Sequence, residues 1–203
     1  MRMTIHPLFL PFLLGMVLYG NVSYYALIFT SLLIHELGHI IIAWLLGVKV
    51  ERCVIMPYGG EIEIAHGYSI SPHKQLLISI GGPVSTLCCI FIAAFFDPLL
   101  AKPFIKIQMV LLFVNLIPIW PLDGGRIVLS LILIFSKKAR VYELFLSISL
   151  IISFLTVIVT FILLPKTLIL FILSLFVCIK VIQEWRYRKY RIAFEKHVMN
   201  RLT

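Results

Sequence analysis

Residues 24–47 run for the length of a bilayer crossing and carry no charged or imidazole side chain other than His35, Glu36 and His39, which fall within five positions. About 20 apolar residues in a helix span the roughly 30 Å hydrocarbon core of a membrane. Ionisable groups at that depth are costly, so their presence points to function. The stretch Ser31-Leu32-Leu33-Ile34-His35-Glu36-Leu37-Gly38-His39-Ile40-Ile41 has the spacing His-Glu-x-x-His. Two histidines four apart share one helix face. That geometry can hold one Zn²⁺, with Glu36 placed to take the proton of an attacking water. The bland alternative is a pair of histidines satisfied by neighbouring helices in a buried bundle.

The rest of the chain keeps the same apolar character. Of its 203 residues 61% are hydrophobic, and the mean hydropathy is +1.06, values that mark an all-α polytopic membrane protein. Apolar segments at 8–20, 24–47, 75–96, 106–135, 142–164 and 167–183 predict about six transmembrane helices. The first is entered by His6-Pro7 and interrupted by Pro11, and it lacks a signal-peptide cleavage pattern, so it is expected to be retained. A single membrane domain over 1–184 and a basic cytosolic tail over 185–203 follow, with no internal repeat.

Two stretches break the helical pattern. In 50–65, Glu61, Ile62, Glu63 and Ile64 alternate and Tyr58-Gly59-Gly60 supplies a turn, so a short membrane-associated β-hairpin is predicted after the second helix. An open strand edge cannot face lipid; at the interface, the edge around Gly59 and Gly60 could hold an extended peptide, or the hairpin could be a plain surface feature. The fourth segment is too long for one regular helix and is interrupted by Asn115-Leu116-Ile117-Pro118-Ile119-Trp120-Pro121-Leu122-Asp123-Gly124-Gly125-Arg126. Irregular backbone at depth is tolerated only against protein or a wet cavity. Asp97-Pro98 and Pro103 are expected to bound a loop before it.

Charge narrows the partners. The net charge of +9 comes from residues between apolar segments and in the last twenty positions, not from an aromatic-studded groove, so no nucleic acid is expected and the lipid bilayer is the surface they touch. With both termini inside, thirteen Lys and Arg lie on the inner segments, against Lys102, Lys106 and Lys166 outside. That bias puts termini and hairpin in the cytosol. Cys53, Cys88, Cys89 and Cys178 form no CxxC pair and read as small hydrophobes.

Two imidazoles do not complete a catalytic zinc site, which usually takes three protein ligands. Asp123 is the best third candidate, because Asp97 and Glu143 lie at segment ends and Glu51, Glu61, Glu63, Glu184 and Glu195 lie at interfaces. It could instead cap a helix opening on Gly124-Gly125. Asn115 could donate a hydrogen bond to a polarised carbonyl or tie the break to its neighbours.

His-Glu-Leu-Gly-His in the second segment, Gly81-Gly82-Pro83 in the third, and Asn115 with Pro121-Leu122-Asp123-Gly124-Gly125 in the fourth resemble the site-2 protease family of intramembrane zinc metallopeptidases (M50). Met56-Pro57-Tyr58-Gly59-Gly60 and the run from Asn115 to Gly125 are similar to its sporulation branch. The resemblance implies one zinc on His35, His39 and Asp123, Glu36 as the catalytic glutamate and Asn115 in substrate handling. It also implies a membrane-associated substrate, an inactive sigma-factor precursor of the pro-sigma-K type losing its pro-sequence, with inhibitory membrane proteins as partners and the mother-cell membrane around the forespore as the place. Members of that branch commonly continue into a cytosolic CBS domain, whereas this sequence stops at Thr203. Two rival classes suit the same pattern: a metal or proton-coupled secondary transporter, since broken helices with buried acids also serve transport, and an inactive binding scaffold of the same fold, which has no chemical need for Glu36.

Overall fold

The computed structural model describes residues 2–5, 22–56, 59–64, 70–136, 139–164 and 167–202. The expected first span over 8–20 lies outside them, as do Pro57 and Tyr58 of the turn. By contact the chain divides into two compact units, 1–116 and 117–203.

The first unit contains β1 (Arg2–Ile5), α1 (Val22–Leu45), β2 (Val50–Met56), β3 (Gly59–Ile64), α2 (Pro72–Ala93) and α3 (Pro98–Asn115). β2 and β3 run antiparallel, Ile55 opposite Gly60 and Met56 opposite Gly59. β1 adds to β2 in parallel, which short-range patterning cannot foresee, because a parallel pair joins residues far apart in sequence. In the order β1-β2-β3, β3 is an edge strand. The loop expected between Asp97 and Pro103 is the start of α3 instead. Pro98 occupies the first helical position, where no N–H is needed, and Ala101 N–H donates to the Asp97 carbonyl.

α1 and α2 are held together by two glycines. A Cβ on Gly81 would lie 2.7 Å from the Gly38 carbonyl oxygen and 2.9 Å from Ile42 Cγ1, so the two backbones touch where side chains would keep them apart. Ser85 Oγ of α2 also lies 3.2 Å from the Ile34 carbonyl of α1, a bond that crosses the same seam.

The second unit contains α4 (Asp123–Phe135), α5 (Ala139–Ile162) and α6 (Leu168–Leu202). The long fourth segment of the sequence is thus two helices, α3 and α4, separated by seven non-helical residues, 116–122. Leu129, Tyr142, Phe145 and Leu146 form one core with Trp120 and Trp185 against it, and Ile119, Val177 and Val181 form another. α6 continues as one helix past Glu184 into the basic end of the chain. Tyr142 Oη donates to Glu184 Oε1 at 2.8 Å, and the Arg188 guanidinium stacks 3.6 Å from the Trp185 ring centre.

The distribution of side chains suits lipid. Trp44, Phe91 and Phe135 are 76, 68 and 85% exposed, while Ser31, Ser79, Thr86, Gln108, Ser149 and Ser153 are buried. Water would reverse that arrangement; hydrocarbon permits it, because helices there associate through small and polar residues. Among the described residues, three helices are long and apolar enough to cross a membrane, over Ala26–Leu45, Pro72–Ala93 and Val141–Ile162. Gly81→Ala is expected to destabilise the protein by about 1–3 kcal/mol through overpacking, read as a lowered thermal midpoint in detergent; an unchanged midpoint would show that the α1–α2 seam tolerates a methyl group.

Candidate metal centre

His35, Glu36 and His39 are all buried on α1, and the two imidazole Nε2 atoms face each other at 3.3 Å. Each ring is held from behind by α2. His39 Nδ1 lies 2.7 Å from the Ile78 carbonyl oxygen, and His35 Nδ1 lies 2.8 Å from Thr86 Oγ1. A carbonyl only accepts, so His39 carries its proton on Nδ1 and presents a bare Nε2. Gly82 N–H also points at the same Nδ1, at the longer distance of 3.2 Å. The shorter contact decides the tautomer.

α2 comes this close because residue 82 has no side chain. A Cβ there would press on His39 Nε2 and lie 2.6 Å from His35 Nε2, filling the space onto which both nitrogens open. The spacing fits a metal: two ligands of a tetrahedral zinc, each about 2.0–2.1 Å from it, stand about 3.3–3.4 Å apart.

Asp123 is the first residue of α4, and its helix cap is Leu122, so it does not serve as the cap that its Gly-Gly neighbours suggested. It lies in the first turn of α4, at the positive end of the helix dipole. The turn before it is fixed on two sides, with Ile119 packed on Val177 and Val181, and Trp120 packed on the core of Leu129 and Tyr142. Gly125 allows this, since a Cβ there would lie 2.6 Å from Trp120 N and press on the Ile119 carbonyl. His35 and His39 offer two buried imidazoles from α1, and Asp123 offers a buried carboxylate at the start of α4. Two imidazoles and a carboxylate are a zinc donor set.

Asn115 is buried at the last position of α3. Gly59 and Gly60 lie in the ladder on the edge strand β3. Sequence reasoning had no role for Thr86 or the Ile78 carbonyl. The available signal was their spacing of four residues either side of Gly82, which puts all three on one face of α2.

A sequence profile of peptidase family M50 matches residues 23–104 and 99–158. The chain belongs to peptidase family M50. Stage IV sporulation protein FB of Bacillus subtilis (strain 168) is 28% identical over 200 residues, which cover 94% of this chain and 68% of that protein. Zinc metalloprotease MJ0392 of Methanocaldococcus jannaschii is 34% identical over 145 residues, which cover 64% of this chain and 41% of that protein. Among solved structures, the site-2 protease from Methanocaldococcus jannaschii matches with a TM-score of 0.70 at 28% identity, covering 91% of this chain and 92% of that one. This M50 peptidase is therefore a zinc metalloendopeptidase of the site-2 protease type, a multi-pass membrane protein with the fold of that structure. Gly82→Ala is expected to empty the centre: zinc per chain, measured on protein purified in detergent, should fall well below the wild-type value while the helical circular dichroism stays. Full zinc occupancy in that variant would mean that the metal does not lie where the two Nε2 atoms converge.

Proposed function

We propose that this M50 peptidase hydrolyses a peptide bond of a membrane-associated protein, with zinc held by His35, His39 and Asp123 and with Glu36 as catalytic residue. The observation that carries this reading is the pair of buried Nε2 atoms facing each other at 3.3 Å beside Glu36 on α1. When bound, zinc supplies Lewis acidity, polarising the scissile carbonyl and acidifying a water. Glu36 accepts the proton of that water and delivers it to the leaving amine, so one carboxylate serves as base and then as acid. Asn115 donates a hydrogen bond to the substrate carbonyl through its side-chain amide.

A helical substrate hides its peptide bonds in internal hydrogen bonds and must be extended before cleavage. We assign this to strand addition at β3, where Gly59 and Gly60 leave the edge free of side chains. Six membrane crossings with termini and hairpin in the cytosol, a membrane domain over 1–184 and a basic cytosolic tail over 185–203 complete the proposal, supported by the positive-inside bias of the sequence. The substrate we favour is a sigma-factor precursor that loses its pro-sequence, held in check by inhibitory membrane proteins in the mother-cell membrane around the forespore. The support is the likeness to stage IV sporulation protein FB. The chain spans about two thirds of the length of that relative and about two fifths of the archaeal one.

Co-expression with a candidate precursor tests the proposal. Glu36→Gln should keep its zinc and lose about 10²–10⁴-fold in cleavage rate, and Asp123→Ala should lose both zinc and activity. Product size on a gel and zinc per chain are read together. Undiminished cleavage by Glu36→Gln would falsify the assignment of the base, and cleavage of other membrane proteins but no precursor would remove the sigma-factor part alone.

A further inference from the structure

The two zinc-binding rings are held by unlike partners. Behind His39 stands a carbonyl, which can only accept; behind His35 stands a hydroxyl, which can accept or donate. The orientation of that hydroxyl therefore decides which nitrogen of His35 carries the proton. Were Thr86 to donate to Nδ1, the proton of the ring would sit on Nε2, on the side where the metal binds. A second acceptor prevents this: Thr86 Oγ1 lies 3.1 Å from the Gly82 carbonyl oxygen and can place its one proton there. Its lone pairs then face His35 Nδ1 at 2.8 Å, and only a protonated Nδ1 satisfies them. The lone pair of the ring is left on Nε2, 3.3 Å from that of His39.

The setting makes this bond matter. Thr86 is 0% exposed and His35 1%, so water does not compete for either partner. A threonine in a membrane helix commonly satisfies its hydroxyl on the carbonyl four residues back. The second bond, across the seam to a metal-binding ring on α1, is what that common arrangement leaves unexplained.

We propose that Thr86 is a positioning residue of the metal centre, fixing the tautomer and rotation of His35 and so setting the affinity of the site for a divalent ion of the zinc type. The proposal rests on the reading of His35 and His39 as metal ligands. It concerns affinity and geometry and takes no part in proton transfer at the scissile bond.

Three variants of the full chain in detergent test it. Thr86→Val keeps the shape of the side chain and removes both hydrogen bonds; its zinc affinity, measured by competition with a chromophoric chelator, should fall about 10–100-fold. Thr86→Ala, which cannot overpack, carries the same expectation should the valine variant fail to fold. Thr86→Ser keeps the hydroxyl on the same carbon and should restore wild-type affinity. With cobalt in place of zinc, the visible absorption bands should change shape in the valine and alanine variants and not in the serine one. Wild-type affinity and spectrum in a folded valine or alanine variant would overturn the proposal. So would a serine variant as weak as alanine, which would trace the effect to packing of the methyl group. If the wild-type chain bound neither zinc nor cobalt, the metal reading itself would fail, an outcome distinct from both.

Discussion

Two imidazole nitrogens 3.3 Å apart in a buried, lipid-compatible core are the constraint around which this chain is built. Left to themselves, two lone pairs at that distance repel, and His39 has committed its proton to the opposite side of its ring. A cation between them turns the repulsion into ligation. The demands on the first unit follow from this. α2 must come within contact of α1, which needs glycine at 38, 81 and 82, and it must bring an acceptor to the back of each ring, which it does with the Ile78 carbonyl and the Thr86 hydroxyl. A bulkier residue at 82 would fill the space onto which both Nε2 atoms open.

The lipid environment explains why such a site can be stable. In water, the exposed Trp44, Phe91 and Phe135 would drive aggregation, and the buried serines and threonines would cost desolvation. In a bilayer the apolar exterior carries no penalty, and some of the buried hydroxyls find partners in backbone carbonyls one turn away, as Ser31 does at Leu27 and Ser79 at Gln75. The interior can then be more polar than the exterior, which is the setting that two buried imidazoles require.

In the second unit, the rigid feature is the irregular turn before Asp123. Ile119 and Trp120 are driven into separate hydrophobic cores, and Gly125 lets the first turn of α4 close over them. A turn clamped on both sides fixes where the Asp123 carboxylate starts from. Prolines and glycines in the middle of an apolar run are therefore the means of presenting an acid at a helix start.

The sequence by itself determined the chemistry and the period of the helices. His35, Glu36 and His39 share a face because a helix repeats every 3.6 residues, and Asp123 stood out because acids are too costly in apolar sequence to occur without cause. The break between α3 and α4 was legible too, since Pro118 and Pro121 interrupt helical hydrogen bonding. Tertiary structure decided what local patterns do not encode. β1 joins β2 across some fifty positions, and Thr86 stands behind His35 because two helices can touch at glycines. In each case the deciding interaction is between residues far apart in the chain, and its energy appears only when the backbones meet.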